Sequence, residues 1–167
     1  AMISYYFGSK EKMMSYLYLY RVQKTRDSFA VFAQIIWEGK PEMQMKELIK
    51  YVVSQLFKFN YFHGFVTQEL RHTEHLKEDL LEFYTTFTSK IDDVIKKGVS
   101  SGVFSNAPKP EDILTLIVGS SLFVIRNKNF YELYVSGKEE NYLEEAEKKT
   151  MANLLVTVFS LLGYQSD

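Results

Sequence analysis

The stretch that decides the fold is ISYYFGSKEKMM, residues 3–14, in which an aromatic segment and a Gly-Ser turn precede a long helix. Ser9 is a favourable N-cap, because its hydroxyl can accept a hydrogen bond from a free backbone N–H of the first turn. Glu11 follows where the helix dipole favours an acidic side chain, whereas Lys12 replaces the Glu of a capping box. Apolar residues then recur at helical spacing up to the break at residues 39–41, Gly-Lys-Pro. We therefore predict a first long helix that begins at Ser9.

Helical spacing continues along most of the remaining chain, and no stretch shows the sustained alternation of a strand. The second predicted helix carries an apolar stripe over residues 45–57. A short, aromatic-rich helix is predicted over residues 60–72, interrupted near Gly64. A longer one follows over about residues 74–101, and Gly102 is expected to cap it in the left-handed conformation, so that the next residues fold back. These patterns predict an all-α protein.

The last two predicted helices differ in character. The first, over about residues 110–134, begins with Pro110 and is apolar almost all round from Ile113 to Ile125. The second, over about residues 141–162, begins with Asn141 and Glu144, which resemble a capping box. A helix without a polar face must be covered on both sides, which is difficult for one domain of about six helices. We therefore expect a homodimer; the alternative is a monomer in which the last helix alone covers the apolar one.

Composition excludes several classes of protein. Apolar residues make up 46% of the chain, and the formal charge of −1 argues against a surface devoted entirely to nucleic acid. The absence of Cys excludes disulfides, thiolate metal sites and cysteine nucleophiles. No signal-peptide pattern occurs, and the longest apolar run, residues 113–125, is too short to span a bilayer. We expect a soluble, cytoplasmic protein without a membrane partner.

The segment 3–14 resembles the end of the helix-turn-helix domain of the TetR family of bacterial transcriptional regulators. In that family a recognition helix ends in aromatic residues and passes through a Gly-Ser-Lys-Glu turn into a long connecting helix. Residues 95–104, IKKGVSSGVF, and Gly119 in the following helix are similar in place and type, so the resemblance covers the whole chain. The chain departs from the family at Ser4, where Tyr is frequent.

The resemblance implies a TetR-like helical bundle of about six helices after a recognition-helix remnant, dimerising through the last two helices. Residues 1–20 would be the end of the DNA-binding domain and the start of the connecting helix, and residues 21–167 the effector-binding and dimerisation domain. The complete protein would be a repressor that binds operator DNA. Tyr5, Tyr6 and Lys10 match positions that contact DNA, mainly at the phosphate backbone. The alternative is that the tyrosines only pack and that Lys10 is solvated.

The resemblance also implies that a small hydrophobic or aromatic effector binds inside the helical domain and releases the operator. The aromatic residues expected to line its site are Phe29, Phe32, Trp37, Phe57, Phe62, Phe65, Phe83, Tyr84 and Phe87. Gln68, Tyr84 or Ser121 would orient the ligand. The alternative is that these rings are ordinary core.

The apolar faces of the last two predicted helices supply the expected dimer interface. Its expected residues are Leu116, Ser120, Leu122, Phe123, Leu155, Val158, Phe159 and Leu162. Two helices from each subunit would then form an isologous four-helix contact.

An enzymatic interpretation has little support in the sequence. Glu69 and His72 have the Glu-x-x-His spacing of di-iron bundles, but no second copy of that motif occurs. No Gly-rich phosphate loop, Gly-x-Ser-x-Gly or His-Glu-x-x-His motif is present. We therefore expect no catalytic residue, metal or cofactor. A small-molecule carrier without DNA binding and a carboxylate-histidine metalloenzyme remain as alternative functions.

Overall fold

A computed structural model describes residues 2–62, 74–134 and 141–165, and every regular element within those ranges is a helix. The α-helices are α1 (Met2–Phe7), α2 (Lys10–Ile36), α3 (Pro41–Lys58), α4 (Glu74–Ser100), α5 (Pro110–Arg126), α6 (Lys128–Tyr131) and α7 (Tyr142–Leu161), with a 3₁₀ turn at Glu132–Tyr134. The predicted all-α class is confirmed. Residues 60–62 are also helical, but the rest of the short helix predicted over 60–72 lies outside the described residues.

The corner between α1 and α2 forms as the sequence predicts. Gly8 has φ of 78°, a value that most side chains disfavour, and Ser9 is the N-cap of α2. The Ser9 hydroxyl accepts a hydrogen bond from the backbone N–H of Lys12 at 3.2 Å. The rings of Phe7 and Tyr16, with centroids 5.8 Å apart, hold α1 against α2. The position of α1 is thus determined by local contacts.

The hydrophobic core lies between α3, α4, α5 and α7. The central helix, α3, contributes Met45, Ile49 and Val53, which are fully buried. The long helix α2 is attached more loosely, because Tyr18 and Phe29 are its only buried residues among the described side chains. The predicted domain boundary after residue 20 falls inside this unbroken helix and stays a prediction.

Side-chain hydrogen bonds from α3 and α4 hold the C-terminal end of α2 and the turn after it. The Gln44 side-chain amide, on α3, donates to the backbone carbonyls of Ile36 and Trp37. The Lys97 ammonium, on α4, donates to the carbonyl of Gly39 at 2.8 Å. The last carbonyls of a helix have no partner within the helix, and the Gln44 amide satisfies that of Trp37 and adds a second donor at Ile36, which also accepts from the N–H of Gly39. The opposite end of α2 is joined to α1 at the Gly-Ser corner.

The cap predicted after α4 is confirmed. Gly102 has φ of 76°, and the backbone N–H groups of Val103 and Phe104 both donate to the carbonyl of Gly98. The Phe104 ring then packs directly on Gly98, where even a methyl group would overlap it. This close contact turns the chain back toward α5.

One helix boundary and one capping box predicted near the C-terminus are wrong, whereas the bounds of the last helix agree with the prediction. The helix that begins at Pro110 ends at Arg126, where the Asn127 side chain donates to the carbonyl of Phe123 and the chain turns into α6. No capping box precedes α7, because the Asn141 side chain makes no capping bond and Glu144 pairs with Lys148 at 2.8 Å. At both places a polar side chain can bond either to the backbone or to another side chain. The sequence alone does not decide which bond forms.

Candidate functional site

The predicted DNA-contacting residues lie together at the α1–α2 corner. Tyr5 and Tyr6 are 82% and 73% exposed, and their rings meet edge-on with centroids 5.0 Å apart. Lys10 is exposed at the first position of α2. All three side chains are therefore accessible from one end of the molecule, as contact with an external partner requires.

Some of the predicted effector-binding aromatics meet in one cluster between α2, α3 and α4. The Phe29 ring stacks on Phe87 with centroids 4.0 Å apart, and Phe83 lies 4.7 Å from Phe87. Phe32 stacks on Tyr51 at 4.4 Å, and Tyr51 lies 5.6 Å from Phe29. We call these five rings the aromatic cluster. Tyr51 was not predicted, since it lies beside the apolar stripe of α3 rather than on it.

The other predicted effector residues lie around this cluster or away from it. Tyr84 is half-buried next to Phe83, whereas Phe57 is fully part of the core. Phe62 stacks on Tyr18 at 5.6 Å, toward the N-terminal part of α2. Trp37 lies at the opposite end of α2, where the Lys90 ammonium is 4.3 Å from its ring centroid. Phe65 lies outside the described residues, as does Gln68.

Ser121 is one of the polar groups suggested to orient a ligand. It is fully buried, and its hydroxyl donates within α5 to the carbonyl of Ile117 at 2.8 Å. Burial raises the pKa of the Tyr84 phenol, an effect that the nearby Arg126 partly opposes. Burial likewise raises the pKa of Tyr51, whose hydroxyl donates to Ser28 at 3.1 Å. Tyr51 thus gives the aromatic cluster a polar edge.

The five rings of the aromatic cluster contact one another in this structure. A groove of about 470 Å³ lies between α5 and α7. Small and polar side chains line much of it, including Gly119, Ser120, Asn153 and Thr157. Phe123, at its rim, is 53% exposed. An open groove with an apolar rim on two adjacent helices is typical of a surface that another helix can cover.

The predicted interface residues divide between this outer face and the core. Leu116, Ser120 and Phe123 line the groove. Leu122, Leu155 and Phe159 are half-buried against the chain's own core. Val158 and Leu162 are fully buried in the chain's own core, and their assignment to the interface stays a prediction. The apolar stripe of α7 identified its inward face, because the strongest stripe of a helix faces the nearest core.

The outward face of α7 carries residues that the sequence analysis did not select. Asn153 and Thr157 line the groove, and Val156 beside them is 74% exposed. Because these residues are of mixed polarity, they do not form an apolar stripe in the sequence. The signal that identifies them is the spacing of three and four residues, which places all three on one side of the helix.

Glu69 and His72, which have the spacing of a di-iron motif, lie outside the described residues. In the described part of the chain no group of three His, Asp or Glu side chains is arranged to hold a metal ion. Glu82 pairs with Arg26 at 2.7 Å, and Asp92 pairs with Lys96 at 2.6 Å. None of the helices searched in the described ranges is both long and apolar enough to cross a membrane.

Comparison with known families agrees with the helical architecture. The family described as "Tetracyclin repressor-like, C-terminal domain" matches residues 41–158, from the start of α3 to the last turn of α7. Neither a curated protein nor a solved structure matches the chain. The match includes the groove helices α5 and α7 and most of the core. Because it covers more than half of the chain, the protein belongs to the TetR family of regulators.

Proposed function

We propose that this chain is the effector-binding and dimerisation part of a transcriptional repressor that binds operator DNA and releases it when a small hydrophobic or aromatic molecule binds. The supporting observation is that one helix, α2, carries both regions concerned. Lys10 lies at its N-terminus, and Phe29 and Phe32 join the aromatic cluster farther along. A helix of 27 residues is about 40 Å long, so it can transmit a displacement at one region to the other.

The loose packing of α2 supports a mechanism. An effector inserted between the rings of α2 and α4 must separate Phe29 from Phe87, because those rings are stacked. Gln44 and Lys97 restrain the C-terminal end of α2, so the displacement would grow toward Lys10. An effector shifts such an equilibrium only by its preference for one conformation, here the separated one. Operator release then follows from the changed position of the DNA-reading segments.

A dimer is the second part of the proposal. Two DNA-binding segments, one from each subunit and related by a two-fold axis, match the two half-sites of a palindromic operator. The proposed subunit interface is the groove face, which combines Leu116, Gly119, Ser120 and Phe123 of α5 with the outward side of α7. Val156, exposed on that side, is the kind of apolar side chain that a partner would cover. Leu122, Leu155 and Phe159 would support this interface from beneath.

The DNA-binding proposal is tested in a regulator that contains a complete helix-turn-helix domain. A phosphate contact by Lys10 predicts that Lys10→Ala weakens binding similarly on all sequences and lowers the slope of log K against log salt by about one per subunit. Lys24→Ala, which removes an exposed charge farther along α2, is the matched control. An unchanged salt slope for Lys10→Ala would contradict the phosphate contact. Absence of operator binding by the unaltered regulator would favour the carrier function.

The effector proposal is tested by a thermal-shift screen of hydrophobic and aromatic compounds. A ligand present at a hundredfold excess over its Kd stabilises the folded state by about 2.7 kcal/mol. Phe32→Leu, at the half-buried edge of the aromatic cluster, should change which compounds bind. Phe104→Leu is the control, since that ring is buried at the α4–α5 turn instead. Equal effects of the two substitutions on the binding profile would argue against a site in the aromatic cluster.

A further inference from the structure

A positively charged site lies beside the aromatic cluster, where α2 crosses the C-terminal end of α3. The guanidinium carbon of Arg21 is 3.1 Å from the centroid of the Phe59 ring, and its Nη2 donates to Oε1 of Gln55 at 3.0 Å. The ammonium of Lys58 lies 5.4 Å from the centroid of the same ring. Two cations therefore share one aromatic ring. The guanidinium is held in place by stacking and by one hydrogen bond.

This site has no acidic partner in the described ranges. Among the described side chains, no carboxylate forms an ion pair with Arg21, and its neighbours Tyr61 and Tyr51 are uncharged phenols near neutral pH. Partial burial lowers the pKa of Arg21, because desolvation disfavours the charged form. The C-terminal carbonyls of α3 contribute only about half of a negative charge. Counted over the described side chains, the site therefore carries a net positive charge.

The free donors of Arg21 suit one class of ligand. A guanidinium has five N–H donors in a rigid planar fork, and Gln55 engages Nη2. Such a fork matches the two oxygens of a carboxylate, and hydrogen bonds of this kind are about twice as strong as those between neutral groups. Arg21 is only half-buried, and the bond to Gln55 engages one of its five N–H donors, which leaves donors for a ligand.

The same helix face leads from Arg21 to the aromatic cluster. Thr25, Ser28 and Phe29 follow Arg21 at intervals of four, seven and eight residues, so all lie along one side of α2. The Tyr51 hydroxyl contacts this side at Ser28, while its ring belongs to the cluster. Eight residues of helix span about 12 Å between Arg21 and Phe29. A molecule of that length can reach both the cation and the rings.

We propose that Arg21 binds the carboxylate of the effector and that the effector is therefore an apolar or aromatic carboxylic acid whose body lies in the aromatic cluster. This inference rests on the proposed effector-binding function. It predicts that the acid and its neutral amide, which have nearly the same shape, differ strongly in affinity. Loss of a charge-assisted hydrogen bond costs about 10- to 150-fold in affinity.

The test uses decanoate, 4-phenylbutyrate and 2-naphthoate, each paired with its primary amide, in calorimetric and thermal-shift titrations of the chain. At least one acid should bind, and its amide should bind at least about tenfold more weakly. Arg21→Met, which keeps an apolar stem on the Phe59 ring, should remove that difference. Lys24→Met removes an exposed cation of the same helix and should leave the difference unchanged.

A second substitution keeps the test valid if Arg21→Met does not fold. Gln55→Glu places a carboxylate at the atom that now accepts from Arg21, so it should compete with the acid and weaken its binding by a similar factor. A purely structural Arg21 would gain an ion pair in this variant without any effect on ligand binding. The unliganded melting temperature of each variant reports folding separately.

Several results would overturn the inference. Equal binding of acid and amide, or unchanged acid binding in Arg21→Met or Gln55→Glu, would exclude the carboxylate contact. Equal binding of acetate, inorganic phosphate and the larger acids would indicate a general anion site. If only neutral compounds bind, the inference fails while the effector-binding function stands. If neither acids nor neutral compounds bind, both fail.

Discussion

Substitutions of Gly119 should affect the stability of the single chain and the Kd of the proposed dimer differently. Gly119 lies within α5 on the groove face, and a Cβ there would meet no other group within 4 Å. Its φ is not positive, so Ala fits without backbone strain. Replacing a glycine inside a helix by Ala stabilises the folded chain by about 0.5–1 kcal/mol. A single chain should therefore tolerate Gly119→Ala and Gly119→Leu, and Ala should raise its melting temperature by about 1–4 °C.

In the proposed dimer, the larger side chain of Gly119→Leu should weaken the association of the two subunits. A two-fold interface presents each substitution twice, and a side chain forced into a packed contact costs about 1–3 kcal/mol. Gly119→Leu should then weaken the dimer by about 2 kcal/mol or more, which raises its Kd by about 30-fold or more. Protomer stability should not fall, since the groove has room for the new side chain in the absence of a partner.

Sedimentation equilibrium over a dilution series measures the Kd, and denaturant unfolding measures protomer stability. Thr86→Leu, which adds the same side chain to the exposed face of α4, is the control and should leave the Kd unchanged. Retention of the original Kd by Gly119→Leu would refute the assignment of the interface to this face. A mass of one chain, 19.6 kDa, for the unaltered protein would refute the dimer itself.

Three further predictions concern the stability of the folded chain. Gly98→Ala should destabilise it by about 1–3 kcal/mol in denaturant unfolding, because the new methyl group overlaps the buried Phe104 ring; no loss would show that this turn can repack. Gln44→Leu should cost about 1–3 kcal/mol, because the Trp37 carbonyl loses the donor of its side-chain bond and the Ile36 carbonyl keeps only the N–H of Gly39, and exchange of the α2 amides should accelerate near that end; unchanged exchange would contradict the role of Gln44 as a restraint. Since burial raises the pKa of Tyr84, its contribution to stability is present below the unfolded-state pKa of about 10 and is lost as pH rises through the higher folded-state pKa. Alkaline melts of Tyr84→Phe should therefore decline less steeply than those of the unaltered chain; parallel curves would exclude Tyr84 as a cause.

The sequence by itself determined the features that depend on a few neighbouring residues. Ser9 caps α2, Pro110 begins α5 and Gly102 closes α4, because each requires only local backbone geometry and one suitable side chain. The all-α class followed from helical spacing along the chain. The resemblance of residues 3–14 to TetR proteins pointed to the family that the match over residues 41–158 then showed.

Which face of each helix meets which neighbour was decided only by the tertiary structure. Periodicity identified an apolar stripe on α7, but whether Val158 faces the chain's own core or a partner depends on the position of α5 and α3. Tyr51 joins the aromatic cluster from beside the stripe of α3, and Arg21 meets Phe59 from 38 residues away in sequence. Contacts of this kind depend on how helices cross, and helix crossing depends on the packing of all their side chains together rather than on the residues within any one helix.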